Sequence, residues 1–250
     1  MVGRAAAVLG RGRAAALAAL LAGLVVWDAL ASELPAVRNG LDIALVAVVL
    51  IPAATWTIWL LLPVAHERAL WAVTLALGAL CVLLDFAGLE AAFNVVKLIA
   101  LALGGFWFVR LFDTLGLVVL IAVVIPWADI ASVYRGPTQV LVEEQPGLFE
   151  RIAVAFSLPG EDAAARIGPP DFFFFALFLA AAARFGLRVG ATWLGMTAGL
   201  GATLVATEIF DVNGLPALPG IALGFLLPNC DLLWRALRNR EAPAEQPSSD

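Results

Sequence analysis

The chain has 250 residues, of which 62% are hydrophobic and only 14% charged, with a mean hydropathy of +0.96. That balance excludes an ordinary water-soluble globular domain, whose apolar share is nearer half. The net charge of −5 gathers mainly in one loop and the C-terminal tail, and no basic stripe marks a nucleic-acid partner.

A bilayer core about 30 Å thick takes roughly 20 apolar residues per helix. Apolar runs between polar punctuation predict spans near 14–32, 41–63, 69–86, 91–109, 114–134, 169–189, 191–210 and 216–234. The expected fold is therefore all-α, a polytopic membrane helix bundle of about eight transmembrane helices whose main partner is the lipid bilayer. Residues 1–112 form its N-terminal helices, and residues 113–235 form a second half that carries the chemistry. Residues 236–250 form a polar, disordered tail. The tryptophans fall mostly near span ends, as an aromatic belt requires.

The composition shifts between 135 and 168, where Glu143, Glu144, Glu150, Glu161 and Asp162 are interleaved with Pro137, Pro146, Gly147, Pro159 and Gly160. This is the one long loop. Lys and Arg are retained on the cytoplasmic side. Arg4, Arg11 and Arg13 before the first span, and Arg235, Arg238 and Arg240 after the last, place both termini there. The 135–168 loop is then extracytoplasmic. The Arg-rich start, the apolar run and Ala29-Leu30-Ala31 also fit a cleavable signal peptide, an alternative that leaves the later topology unchanged. An Ala- and Arg-rich, lysine-poor composition points to a bacterial plasma membrane. Cys81 and Cys230 have no second ligand at metal spacing, and His66 sits in a short polar turn, so neither a metal nor another cofactor is expected.

Charge inside a bilayer costs about 2.5–3.5 kcal/mol or more at mid-depth, so each intramembrane acid or base is a functional candidate. The candidates are Asp28, Asp42, Lys97, Asp129, Asp171 and Glu208. Asp28, Asp42 and Glu208 lie near span ends, where snorkelling suffices. Lys97, one turn from Asn94, is expected to make a structural hydrogen bond to another helix. Asp129 and Asp171 differ, because one stands near the end of its helix and the other at the start of the next, on the same side. Two carboxyls sharing a site of low dielectric cannot both ionise, so one keeps a proton while the other acts as base. That is what aspartyl proteolysis requires.

Three motifs surround this pair. Gly168-Pro169-Pro170-Asp171-Phe172, preceded by Arg166-Ile167, resembles the GxGD motif of the presenilin and signal peptide peptidase family of intramembrane aspartyl proteases. Leu215-Pro216-Ala217-Leu218-Pro219 is similar to that family's PAL motif, and Gly136-Pro137-Thr138-Gln139-Val140-Leu141-Val142-Glu143 resembles the presenilin segment after its first catalytic aspartate. The resemblance covers residues 113–235. It implies a catalytic pair, Asp129 and Asp171, with Gly168, Pro216, Ala217 and Leu218 shaping the substrate site. It also implies transmembrane peptides or leftover signal peptides as substrates, held extended beside the pair. The chain departs from the family in two places: Ala128 stands where tyrosine is usual, and Pro170 replaces the second glycine. Two alternatives stay open, a silent relative that binds membrane helices without cutting them and a proton-coupled transporter or channel using the membrane acids.

Overall fold

The computed structural model describes residues 9–37, 40–136, 146–161, 163–210, 212 and 214–241. The chain is mostly helical, and five helices are long and apolar enough to cross a membrane: Arg11–Glu33, Leu41–His66, Glu90–Leu111, Leu115–Arg135 and Val189–Ile209. We number the helices α1 (Arg11–Leu30), α2 (Leu41–His66), α3 (Leu70–Phe86), α4 (Glu90–Phe108), α5 (Leu115–Arg135) and α6 (Pro146–Ile152). Then follow α7 (Pro169–Arg184), α8 (Val189–Ile209), α9 (Leu218–Leu226) and α10 (Cys230–Glu241). Each of the eight apolar runs holds a helix, but α3, α7 and α9 are shorter than a full span. The last run is broken into α9, a 3-10 turn at Leu227–Asn229 and α10. Helix α10 runs on to Glu241, into the segment expected as a disordered tail, and residues 242–250 lie outside the described residues.

Two prolines shape the long helices. Pro52 has no amide to give its helix and its ring crowds the preceding turn. Accordingly α2 passes through a π-helical turn at Val46–Leu50 just before it. Pro126 lies inside α5, about one turn before Asp129, and leaves the Ala122 carbonyl without its helical donor.

The core centres on α7. Every side chain from Phe175 to Ala182 is buried, the pattern of a helix apolar all round and enclosed by others. Helix α4 packs along one side of it, and the contact is close because α4 offers glycine: a Cβ on Gly105 would stand 2.3 Å from the Phe173 carbonyl oxygen. The most extensive helix contact is between α8 and α9. Here Gly195 and Gly199 face Gly220 and Gly224, and a Cβ on Gly199 would lie 2.3 Å from the Gly220 carbonyl oxygen. Small residues four apart on both helices let the backbones touch, the usual device where lipid supplies no hydrophobic drive.

The 135–168 stretch corrects the sequence expectation of a long loop. It contains α6 and an antiparallel hairpin of β1 (Val154–Ser157) and β2 (Ala164–Ile167), with Val154 opposite Ile167 and Ser157 opposite Ala164. Leu158-Pro159-Gly160-Glu161 turns the chain, with Gly160 at φ 73° and the Glu161 amide reaching back to the Leu158 carbonyl. Proline followed by a positive-φ glycine is the signature of a type II turn. Gly160 is needed twice over, since a Cβ there would collide with the Ala36 amide nitrogen at 2.2 Å.

The hairpin is fixed from the membrane side. The Asn94 side-chain amide donates to the Ala155 carbonyl at 2.6 Å and its carbonyl accepts the Ala155 amide at 2.9 Å, so one side chain acts as a neighbouring strand. Lys97 donates to the Arg151 carbonyl at 2.9 Å and also to the Ala153 carbonyl. Trp27 Nε1 donates to the Ser157 carbonyl at 3.0 Å, and the Ser157 hydroxyl donates to Asp28 at 2.5 Å. Asn94 thus holds a strand, whereas Lys97 bonds the last turn of helix α6 and the residue after it, a contact with another helix as its sequence setting suggests. Trp27 also departs from a simple belt anchor. So do Trp56, Trp59 and Trp193, whose rings pack together with Trp56 and Trp193 edge to face at 5.1 Å.

Candidate active site

Helix α5 ends, α7 begins, α8 ends and α9 begins on the side of the hairpin, so the four chain ends that frame the site meet at one level. Between them lies an open cavity of about 630 Å³. Asp129 of α5 and Asp171 of α7 both line it, together with β2 from Ala164 to Ile167, Gly168 and Ala217. The two aspartates expected to act as a pair therefore face one space. Their helices pack against each other only slightly. Helix α9 brings α5 into place, since it packs against both α5 and α7.

Asp129 is held by a backbone amide, and Asp171 by its place at a helix start. The Leu218 amide donates to Asp129 Oδ2 at 3.0 Å. Leu218 is the first residue of α9, so Asp129 satisfies an amide that has no partner within its own helix. Asp171 sits in the first turn of α7, after Gly168 at the N-cap and the two prolines at the next two positions. Proline suits these places, because it has no amide to leave unsatisfied and its φ is already helical. Gly168 itself has φ −61°, so it is not needed for a left-handed backbone. A Cβ there would stand 3.3 Å from Asp171 Oδ2, a tight contact that the carboxylate would have to yield to by a few tenths of an ångström.

The predicted site residues divide by position. Gly168 and Ala217 line the cavity with the aspartates, and Leu218 reaches the site through its backbone amide. Pro216 is half-buried just before α9 and is not part of the cavity wall. Ala128 is exposed on the outer face of α5, away from the cavity. Beyond Gly136, the segment expected to resemble presenilin after the first aspartate lies outside the described residues.

Sequence reasoning missed the strand that walls the cavity. Asn94 bonds both Ala155 groups on the outer edge of β1, so Ala155 and its partner Arg166 form a non-hydrogen-bonded pair. The amide and carbonyl of Arg166, and those of Ala164 two residues earlier, accordingly point away from β1. Among the described residues no third strand pairs with them. A Pro159-Gly160 turn between short apolar runs is the signal that could have found the hairpin.

No family model matches this chain, and no curated protein matches it in sequence.

Proposed function

We infer that this protein is an intramembrane aspartyl protease, similar to the presenilin and signal peptide peptidase type, that hydrolyses peptide bonds in transmembrane segments. The observation that carries this reading is the placement of Asp129 and Asp171 on one open cavity beside an unpaired strand edge. An extended peptide adding to the outer edge of β2 would satisfy its backbone there and present a peptide bond to the carboxylates. One carboxylate takes a proton from water as the water oxygen attacks the carbonyl carbon. The other, protonated, donates to the carbonyl oxygen. Collapse of the tetrahedral species breaks the C–N bond, with a proton passing to the leaving nitrogen. The pair acts as a unit, so the roles belong to both. In this reading the chain crosses the bilayer eight times with both termini cytoplasmic. Substrates then run in the type II direction, as do leftover signal peptides.

A second reading is favoured by the bond from the Leu218 amide to Asp129. That contact is also what a purely structural helix cap supplies, and a silent relative would keep it.

The test is cleavage of a model transmembrane peptide by purified protein in liposomes, with Asp129→Asn and Asp171→Asn compared with wild type. Loss of a catalytic acid or base removes at least about a hundredfold of rate. Asparagine at 129 still accepts the Leu218 amide and asparagine at 171 matches the carboxyl in size, so both variants should keep wild-type thermal stability while losing cleavage. A wild type that is folded but cuts none of several peptides would leave the silent relative as the better account.

A further inference from the structure

One wall of the cavity is a single stripe of α8. Leu200, Thr203, Leu204, Thr207 and Glu208 all line it, at the spacing that puts residues on one helical face. The stripe is graded. Leu200 is buried at 2% exposure, whereas Glu208 is exposed at the hairpin-side end, about 12 Å further along at 1.5 Å per residue. The Thr203 and Thr207 hydroxyls donate back to the Gly199 and Thr203 carbonyls, both at 3.0 Å. Their donors are used within the helix, so the wall offers a ligand acceptors only.

The charges at this mouth are unevenly matched. Arg166 is paired with Glu150 at 3.4 Å, and Asp129 is held by the Leu218 amide. Among the described residues Glu208 has no ion pair and no hydrogen bond. It also stands in the last turn of α8, where the negative end of the helix dipole disfavours an acid. An acid so placed gains nothing from its own helix and is complementary to an incoming cation.

The geometry points to Glu208 as a specificity residue that receives a lysine or arginine at the hairpin-side boundary of the bound transmembrane peptide. This rests on the cavity's being the peptide site proposed above. The peptide's apolar part lies along Leu200 and Leu204, and its basic side chain extends outward to the carboxylate, as long cationic side chains do at membrane boundaries.

The test uses two model transmembrane peptides that differ only in carrying lysine or glutamate at that boundary. Their binding in non-ionic detergent is followed by fluorescence anisotropy, on full-length Asp129→Asn protein so that they stay intact. Cleavage by the Asp129 protein is measured alongside. The lysine peptide should bind about two- to fivefold more tightly, the range of a partly exposed ion pair. Glu208→Gln should bring the ratio close to one and Glu208→Lys should invert it. A ratio that stays the same in all three proteins, or no binding of either peptide, overturns the assignment. Charge-blind binding with cleavage intact would remove the Glu208 role alone. Inversion by Glu208→Lys without any cleavage would keep that role and remove the protease reading.

Discussion

Asn94 shows how a single polar residue inside an apolar helix can decide where a site ends up. Its amide occupies both backbone groups of Ala155, which closes the outer edge of β1 and leaves the outer edge of β2 toward the cavity. Replacing it by alanine strands an amide and a carbonyl where water is scarce, at a cost of about 1–3 kcal/mol. Asn94→Ala should therefore lower the thermal midpoint in detergent and speed amide exchange at Ala155. Unchanged exchange there would show that the hairpin does not depend on this bond. The polar character of Asn94 and Lys97 was legible in the sequence because charge is rare in such a run. Their partner was not, because both residues bond backbone carbonyls, and a carbonyl has no sequence signature. The same holds for Asp129. Its place on one cavity with Asp171 was expected from the motif order, whereas its bond to the Leu218 amide belongs to the folded chain.

At the scale of elements, the contact between α8 and α9 sets the start of α9 against Asp129. The four glycines leave no space for a side chain: a Cβ on Gly224 would come within 2.3 Å of Gly195. Gly199→Leu must push the two backbones apart, and strain of this kind costs typically about 1–3 kcal/mol or more. The Leu218 amide would then move off the carboxylate. The expected outcome is a lower thermal midpoint together with loss of peptide cleavage. Gly78 on α3 is the control, since nothing lies within 4 Å of a Cβ there. Gly78→Ala should be neutral, or stabilising by up to about 1 kcal/mol through helix propensity. If both variants behave alike, close packing of α8 on α9 is not what positions the site. The spacing of Gly195 with Gly199 and of Gly220 with Gly224 was open to sequence reading as paired small-residue motifs. The hairpin was harder to read, because its strands are only four residues each and lie among the acidic and proline-rich signals of a loop.

For the whole molecule, the helices were legible because apolar length is a crude and robust signal, yet five of them are long enough to cross alone. The rest depend on their neighbours. Helix α7 is sixteen residues long and enclosed along its middle, from Phe175 to Ala182, and α9 is nine residues followed by a turn and the polar α10. The eight-span arrangement therefore turns on which side the ends of these short helices face. Cys230 is exposed where α10 begins, and Ala163 is exposed beside the hairpin turn. In a Cys81→Ala background, Cys230 and an Ala163→Cys substitution can each be labelled with a membrane-impermeant maleimide in sealed vesicles of known orientation. Crossing by α7, α8 and α9 puts the two thiols on opposite sides, so a reagent that reaches one should spare the other until the vesicles are opened. Labelling of both from one side would mean that one of these helices does not cross. The cavity that holds Asp129, Asp171 and Glu208 would then open toward the compartment that holds the start of α10, and where that compartment is the cytoplasm the expected direction of the substrate chain is reversed.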